Sequence, residues 1–365
     1  MEKPVVLNVR AFAVLVTFFM IGTSILITPS ALSFDAKQDA WLACIIGVGM
    51  NVAAVFLYVR LGERFPQQTL VQYCETILGK WIGKAVALGF VLFFFLLASL
   101  MVGDLGYFLT SQIMQETPME VLQMMFVLVV VMTVRLGLAV YTRAAVLFFP
   151  WTLLLFTILI LPLIPKFQWN LLLPFLEYGW SPVMRGSFSF WGLQEMIVML
   201  MFYPYVARKP GRKSAFVTGV VLGGAILVLT TLGSITVLGT TLTTNQLFPA
   251  YTLAKNISLG HFFERVEGIM ISIWVISIFF KIVLTFHASV HGLVQLLRFK
   301  EEKVLVLPLG LGMIVMSLMC YPNTIFIKDY LGRNWAPLSL IFGVVLPLLL
   351  LVVSSVTRGL RRGKG

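Results

Sequence analysis

Apolar residues in this chain run in long continuous blocks separated by short polar segments, neither alternating nor confined to one helical face. Each block approaches the roughly 20 residues that cross a bilayer as a helix. The pattern predicts ten spans, at about 11–32, 40–59, 85–111, 119–138, 144–164, 186–206, 214–238, 266–290, 304–321 and 336–356. Arg135 closes the fourth, where a terminal arginine can snorkel to the interface. Between spans 2 and 3, Leu70, Tyr73, Ile77, Leu78 and Trp81 recur at helical spacing and predict an amphipathic surface helix. Two long connections, 166–184 and 239–265, lie on the other side. In the second, Leu247, Phe248, Pro249, Phe262 and Phe263 are expected to pack onto the protein.

Composition sharpens this picture. Of 365 residues 59% are hydrophobic and 12% charged, about half the ~25% charge of an ordinary soluble domain. A single apolar core stops growing at roughly 250–300 residues. A soluble enzyme, a nucleic-acid binder and a secreted disulfide scaffold are therefore excluded. The net charge of +12 sorts by side instead: with the N-terminus inside, 19 of the 27 cations fall in inside segments and seven outside. That asymmetry predicts both termini cytoplasmic. Cys44, Cys74 and Cys320 have no metal-ligand spacing, and three is an odd number for a disulfide framework. The first block is too long for a cleavable leader. No Walker loop, dinucleotide fingerprint or nucleophile elbow occurs, so neither an enzyme nor a cofactor is expected.

Two spans carry helix-breaking clusters. Span 1 contains Gly22-Thr23-Ser24 and then Pro29; span 6 contains Gly186 through Gly192, then Gln194-Glu195, with Pro204 beyond. Proline cannot donate to the ladder, and glycine is a weak helix former. First and sixth of ten are equivalent positions in a five-plus-five division. Five is odd, so the second half enters the membrane inverted. The fold class predicted is an all-α integral membrane protein, ten transmembrane helices in a 5+5 inverted repeat with broken helices 1 and 6. It forms a single transmembrane domain over 1–365, with repeat one at about 10–165 and repeat two at about 185–357. Such transporters bind a small substrate where the two broken helices meet.

The run from Ile21 to Leu26 and on to Pro29 resembles the first-helix motif of the amino acid–polyamine–organocation transporters. More specifically, the chain resembles the endospore germination permeases, the B subunits of spore germinant receptors. Arg135-Leu136-Gly137-Leu138, Arg143-Ala144 and Phe148-Phe149-Pro150 are similar to that family's motif between spans 4 and 5. Phe248-Pro249, Leu253-Ala254, Ile257 and Phe263-Glu264-Arg265 before span 8, and Phe279-Phe280-Lys281 within it, are similar too. The transporter pattern usually has a second glycine where Ser24 stands. The resemblance implies a sensor of a small germinant, an amino acid such as L-alanine, that signals to A-type and C-type receptor subunits in the spore inner membrane.

Ionisable residues inside a membrane are costly and mark candidate sites. Asp104 lies toward the outer end of span 3, and Glu195 beside the break in span 6. Lys281 lies deep in span 8, on one stripe with Ser277, Thr285 and Ser289. In related symporters span 8 packs on the break in span 1 with a sodium ion between; Lys281 is expected to stand in for that ion. The candidate ligand site takes a carboxylate at the amides of Gly22, Thr23 and Ser24. It takes an ammonium at the carbonyls of Trp191 and Gly192 or at Glu195. Leu100, Met101 and Val198 supply an apolar wall, and Thr285 and Ser289 supply hydroxyls. His287 and His291 have the i, i+4 spacing of a zinc pair, but no further ligand is apparent and no metal is expected. Two rivals remain: an ion- or proton-coupled amino-acid transporter, and a passive scaffold or ion-conducting subunit.

Overall fold

The computed structural model describes residues 6–208, 210–256, 266–320 and 332–362, with backbone alone at 332–333 and 357–362. Among the described residues the regular structure is helical, apart from a single parallel bridge between Leu7 and Val206. Span 1 is two helices, Val9–Ile21 and Ser24–Ala36. Spans 2 to 5 are Ala40–Arg64, Lys80–Gln112, Met119–Leu136 and Leu138–Ile160. Span 6 is the helix Trp180–Gly192 followed by the 3₁₀ segment Met196–Met201. Spans 7 to 9 are Arg212–Asn245, Glu267–Leu297 and Lys303–Cys320. Span 10 joins Gly332–Leu340 to Leu346–Arg362 through a π segment, Ile341–Val345.

The packing has the symmetry of the predicted repeat. The first half of span 1 packs on span 7, and the first half of span 6 packs on span 2. Exchanging spans 1 with 6 and 2 with 7 turns one contact into the other. Spans 3 and 8 pack on each other, as do spans 2 and 7, and the second half of span 1 meets the first half of span 6. The first two pairs map onto themselves when spans 3 and 8 are exchanged as well; the third becomes the contact between the first half of span 1 and the second half of span 6, which is also made. Gly219 and Gly223 let span 7 approach span 1 closely: a Cβ at either would stand 2.6 Å from Val16 or Met20. Small residues four apart do this in membrane bundles, where lipid gives apolar side chains no reason to prefer each other.

Several expected boundaries shift. Span 3 begins at Lys80, so the surface helix is only Leu70–Leu78, closed by Gly79. Thr69 and Gln72 form its capping box; Leu70 and Tyr73 are buried, while Trp81 belongs to span 3 and is exposed. Span 8 runs two turns beyond its expected end, which places His291 inside the helix. Pro29 lies within a helix; the turn in span 1 is at Gly22. In span 6 the helix continues through Gly186 and Gly192 and breaks at Leu193–Glu195, where the glycines alone had pointed earlier. Ser187 supports that continuation by donating to Val183 O at 2.8 Å. Phe248 and the helix Pro249–Lys255 do pack onto the protein, with Phe108 edge-on to both Phe248 and Tyr251. Ile257, Phe262, Phe263, Glu264, Arg265 and the terminal cations Lys3 and Lys364 lie outside the described residues.

Candidate functional site

The two breaks meet. Gly22 turns span 1 at φ +21°, a conformation side-chain-bearing residues rarely adopt. Its N–H donates to Phe18 O at 2.9 Å, so the amide expected to meet a carboxylate closes the preceding helix instead. At the other break Glu195 is left-handed, φ 36° and ψ 41°, strain on the order of 1–3 kcal/mol that the surroundings must hold. Gln194 bridges the breaks, donating from Nε2 to Ser24 Oγ at 3.1 Å in a fully buried contact.

Lys281 is the second bridge. Its stem lies on Gly22 so closely that a Cβ there would stand 2.3 Å from Lys281 Cδ. Only glycine fits beneath it. The ammonium then reaches past span 1 to the break in span 6. Nζ donates to Leu193 O at 3.1 Å and lies 3.1 Å from Glu195 Oε2, a charge contact beside that hydrogen bond. It also sits 5.1 Å from the Phe19 ring centre. At the break in span 1, where Lys281 is expected to stand in for an ion, the Gly22 carbonyl is approached by Ser277 Oγ at 3.5 Å instead. Lys281 and Glu195 side chains are 1% and 2% exposed, so each charge depends on the other for what water no longer supplies.

Span 10 completes the site. Trp335 Nε1 donates to Glu195 Oε1 at 2.8 Å, and Ser339 Oγ donates to Gly192 O at 2.7 Å. Tyr58 OH donates to Gly343 O at 2.7 Å, within the π segment; single π turns in helices are frequent at functional sites. A small cavity lies between spans 2, 3, 6 and 10, with Asn51, Tyr58, Phe93, Trp191, Glu195 and Ser339 in its wall. Of the residues singled out in the sequence, Trp191 and Glu195 line it. The sequence pattern places span 10 but points to none of its residues as part of the site, although Trp335, Ser339 and Gly343 fall at four-residue steps.

The remaining expected residues are placed as follows. Thr23 and Ser24 are buried at the break. Trp191 O accepts from Gln194 N–H at 3.2 Å, so this carbonyl and that of Gly192 are engaged within the chain. Val198 is buried in the 3₁₀ segment; Leu100 and Met101 are buried in span 3, with Asp104 half-buried beyond them. Thr285 donates to Lys281 O at 2.8 Å and Ser289 to Val91 O at 3.2 Å.

A second polar cluster stands at the far end of span 8. Glu302, in the connection to span 9, places Oε2 3.3 Å from His287 Nε2 and hydrogen-bonds His291 Nδ1 through Oε1. Tyr141 OH lies 2.8 Å from His287 Nδ1, and Tyr205 OH 2.8 Å from His291 Nε2. Burial by itself would raise the Glu302 carboxyl, but the hydrogen bonds to both histidines outweigh it and hold the group well below the usual carboxylate range. The sequence left the two histidines without a third group; the turn after span 8 supplies it.

Comparison with known proteins agrees with this architecture. The chain is 15% identical to MhsT, seen in a crystal structure in complex with L-phenylalanine, at a TM-score of 0.67 over 94% of this chain and 97% of that one. The shared fold is the 5+5 inverted repeat. Spore germination protein KB of Bacillus subtilis (strain 168) is 28% identical over 97% of this chain and 95% of its own. Spore germination protein YndE of the same organism is 26% identical over 93% and 94%. A family model described as "Spore germination protein" matches residues 6–325. This multi-pass membrane chain belongs to the spore germination protein family.

Proposed function

We propose that the chain is the B subunit of a spore germinant receptor. It binds a small amino acid such as L-alanine where spans 1 and 6 break. It passes the resulting change to A-type and C-type subunits in the spore inner membrane, with both termini cytoplasmic. The observation that carries this reading is the junction of the two breaks by Gln194–Ser24 and Lys281–Glu195, in a family named for germination. Gly22, Thr23, Ser24, Trp191, Gly192 and Glu195 form the floor of the proposed pocket. Leu100, Met101, Asp104, Val198, Thr285 and Ser289 form its walls. Glu195 already holds an ammonium, that of Lys281. A ligand ammonium that competes for the carboxylate would release Lys281 from span 6 and bias the bundle between two arrangements.

Thermal unfolding of the detergent-purified chain, titrated with each amino acid, tests this. One or a few amino acids are expected to raise the midpoint in a saturable way. Failure of every amino acid to shift it would overturn the pocket. A coupled transporter is the second reading, favoured by the amino acid in the MhsT crystal structure. Concentrative uptake of labelled amino acid by the chain alone in liposomes would establish it over the sensor.

A further inference from the structure

We propose that His287, His291 and Glu302 form a binding site for a late first-row divalent metal ion, with Zn²⁺ the best match. This site is separate from the proposed ligand pocket. Two imidazoles and a carboxylate are the donor set such ions take. One ring nitrogen from each histidine and a Glu302 oxygen all lie within 4.8 Å of one another, and His287 Nε2 and His291 Nδ1 are the nitrogens that face the carboxylate. A tetrahedron of bonds near 2.0–2.1 Å has edges of about 3.3–3.4 Å, and His287 Nε2 to Glu302 Oε2 is 3.3 Å. The two histidines stand one turn apart on a single helix, so their separation is fixed before any ion arrives.

The outer contacts have the form that metal sites require. A ligating histidine directs its other ring nitrogen to a fixed polar partner, which sets tautomer and orientation. Tyr141, on span 5, meets His287 Nδ1 in this way. Tyr205, at the end of span 6, meets His291 Nε2, and its hydroxyl can accept from that nitrogen when Nδ1 ligates; the Gln295 amide, whose nitrogen lies 2.7 Å away, then turns its oxygen to the same N–H. His287 is buried, whereas the Glu302 side chain is 35% exposed. Three protein donors with one open side leave a fourth position for water and a path for the ion to enter.

An ion here would brace one end of the bundle. Tyr205 is also tied by its backbone to the chain entering span 1: Leu7 N donates to Tyr205 O at 2.7 Å, and Ala207 N to Leu7 O at 2.9 Å. Spans 1, 5, 6 and 8 and the connection to span 9 therefore converge on one cluster. The metal would hold that end shut.

The test uses the full chain carrying a non-histidine tag, purified in detergent, stripped with chelator and re-equilibrated with Zn²⁺ alone. One Zn²⁺ per chain is expected by elemental analysis. Tyr205→Phe removes only a hydroxyl and should weaken binding about 10–100-fold in a chelator competition. Glu302→Gln and His287→Gln should no longer hold the ion stoichiometrically. Co²⁺ should give a visible absorption band in the wild type that His287→Gln abolishes. The site is ruled out if the wild type retains no Zn²⁺. It is equally ruled out if Glu302→Gln and His287→Gln bind as tightly as wild type. Neither result depends on whether an amino acid binds at the breaks.

Discussion

Span 8 carries two polar clusters only six residues apart, about 9 Å along the helix, and their surroundings differ sharply. Lys281 and Glu195 are sealed, with Trp335, Leu193 and Phe19 closing the remaining directions. At the other cluster His287 is buried and His291 largely so, but the Glu302 carboxylate reaches solvent. In the first, a lost partner is replaced by nothing. In the second, water or an ion takes the vacated place. The same type of substitution therefore has unequal consequences on one helix.

The largest expected effect tests that inequality directly. Glu195→Gln leaves the Lys281 ammonium buried without a counter-charge, and Lys281→Met does the reverse. Each should cost about 3–5 kcal/mol. The double variant, apolar against neutral, should recover much of the loss, because neither orphan charge remains. Glu302→Gln, in metal-free buffer, should cost less, no more than about 1.5 kcal/mol, because Gln keeps a hydrogen bond and the vacated side reaches solvent. Chemical unfolding of the four variants in detergent measures all of these. If the double variant is as unstable as the sum of the singles, the pair is not the structural bridge described above.

Next in size is Gly22→Ala. The added methyl meets Lys281 Cδ and the backbone must keep φ +21°. Strain and overpacking together should cost about 2–4 kcal/mol. Gly49 is the control, helical, exposed and with nothing near its Cβ position. Gly49→Ala should be neutral or stabilising by up to about 1 kcal/mol. Equal effects at the two positions in thermal unfolding would remove the argument that Lys281 packs through the turn.

The sequence carried the fold well because lipid leaves little choice: long apolar blocks must be helices, and cations mark one side. It located the breaks to within a turn, since Gly22 and Glu195 stand beside residues that helices dislike. It did not reveal which way each polar group turns. Lys281 was legible as a charge too deep for snorkelling, but its reach past Gly22 to Leu193 depends on how two distant helices cross. Span 10 was legible and passed over. Trp335, Ser339 and Gly343 repeat every four residues, as Ser277, Lys281, Thr285 and Ser289 do, but without a charge to draw attention. Glu302 was invisible as a partner of His287, because only the turn after Leu297 brings it back.

Span 10 offers the next comparison, a neutral hydrogen bond within the sealed region. Ser339→Ala leaves the Gly192 carbonyl buried without its donor, and should cost about 1–3 kcal/mol. Ser355→Ala, near the solvent end of the same span, removes an exposed hydroxyl that accepts from Arg64 Nη1, which also reaches Ser354 Oγ and Leu351 O. It should cost less than about 0.5 kcal/mol, the usual range for surface changes. Paired thermal unfolding curves decide whether the seal, rather than the span, sets the cost.

Thr285 should give the smallest effect, although the sequence singled it out as a ligand contact. A hydroxyl donates one proton, and that of Thr285 goes to Lys281 O, one turn back on its own helix. It has no proton left for a carboxylate, only lone pairs. A donor to a charged ligand would be worth about 1.5–3 kcal/mol, roughly ten- to a hundredfold in the germinant concentration needed. Helical back-bonding of this kind contributes little to stability, and Val keeps the branched shape. Thr285→Val is therefore expected to shift the germination dose–response by less than about threefold, well under 1 kcal/mol. Thr285→Ser, which keeps the hydroxyl, should match wild type. The measurement compares spores of the three strains with receptor abundance matched by quantitative blotting. A tenfold shift for Val with none for Ser would mean that the hydroxyl turns from Lys281 O to the ligand when it binds, and Thr285 would then belong to the pocket floor beside Gly22.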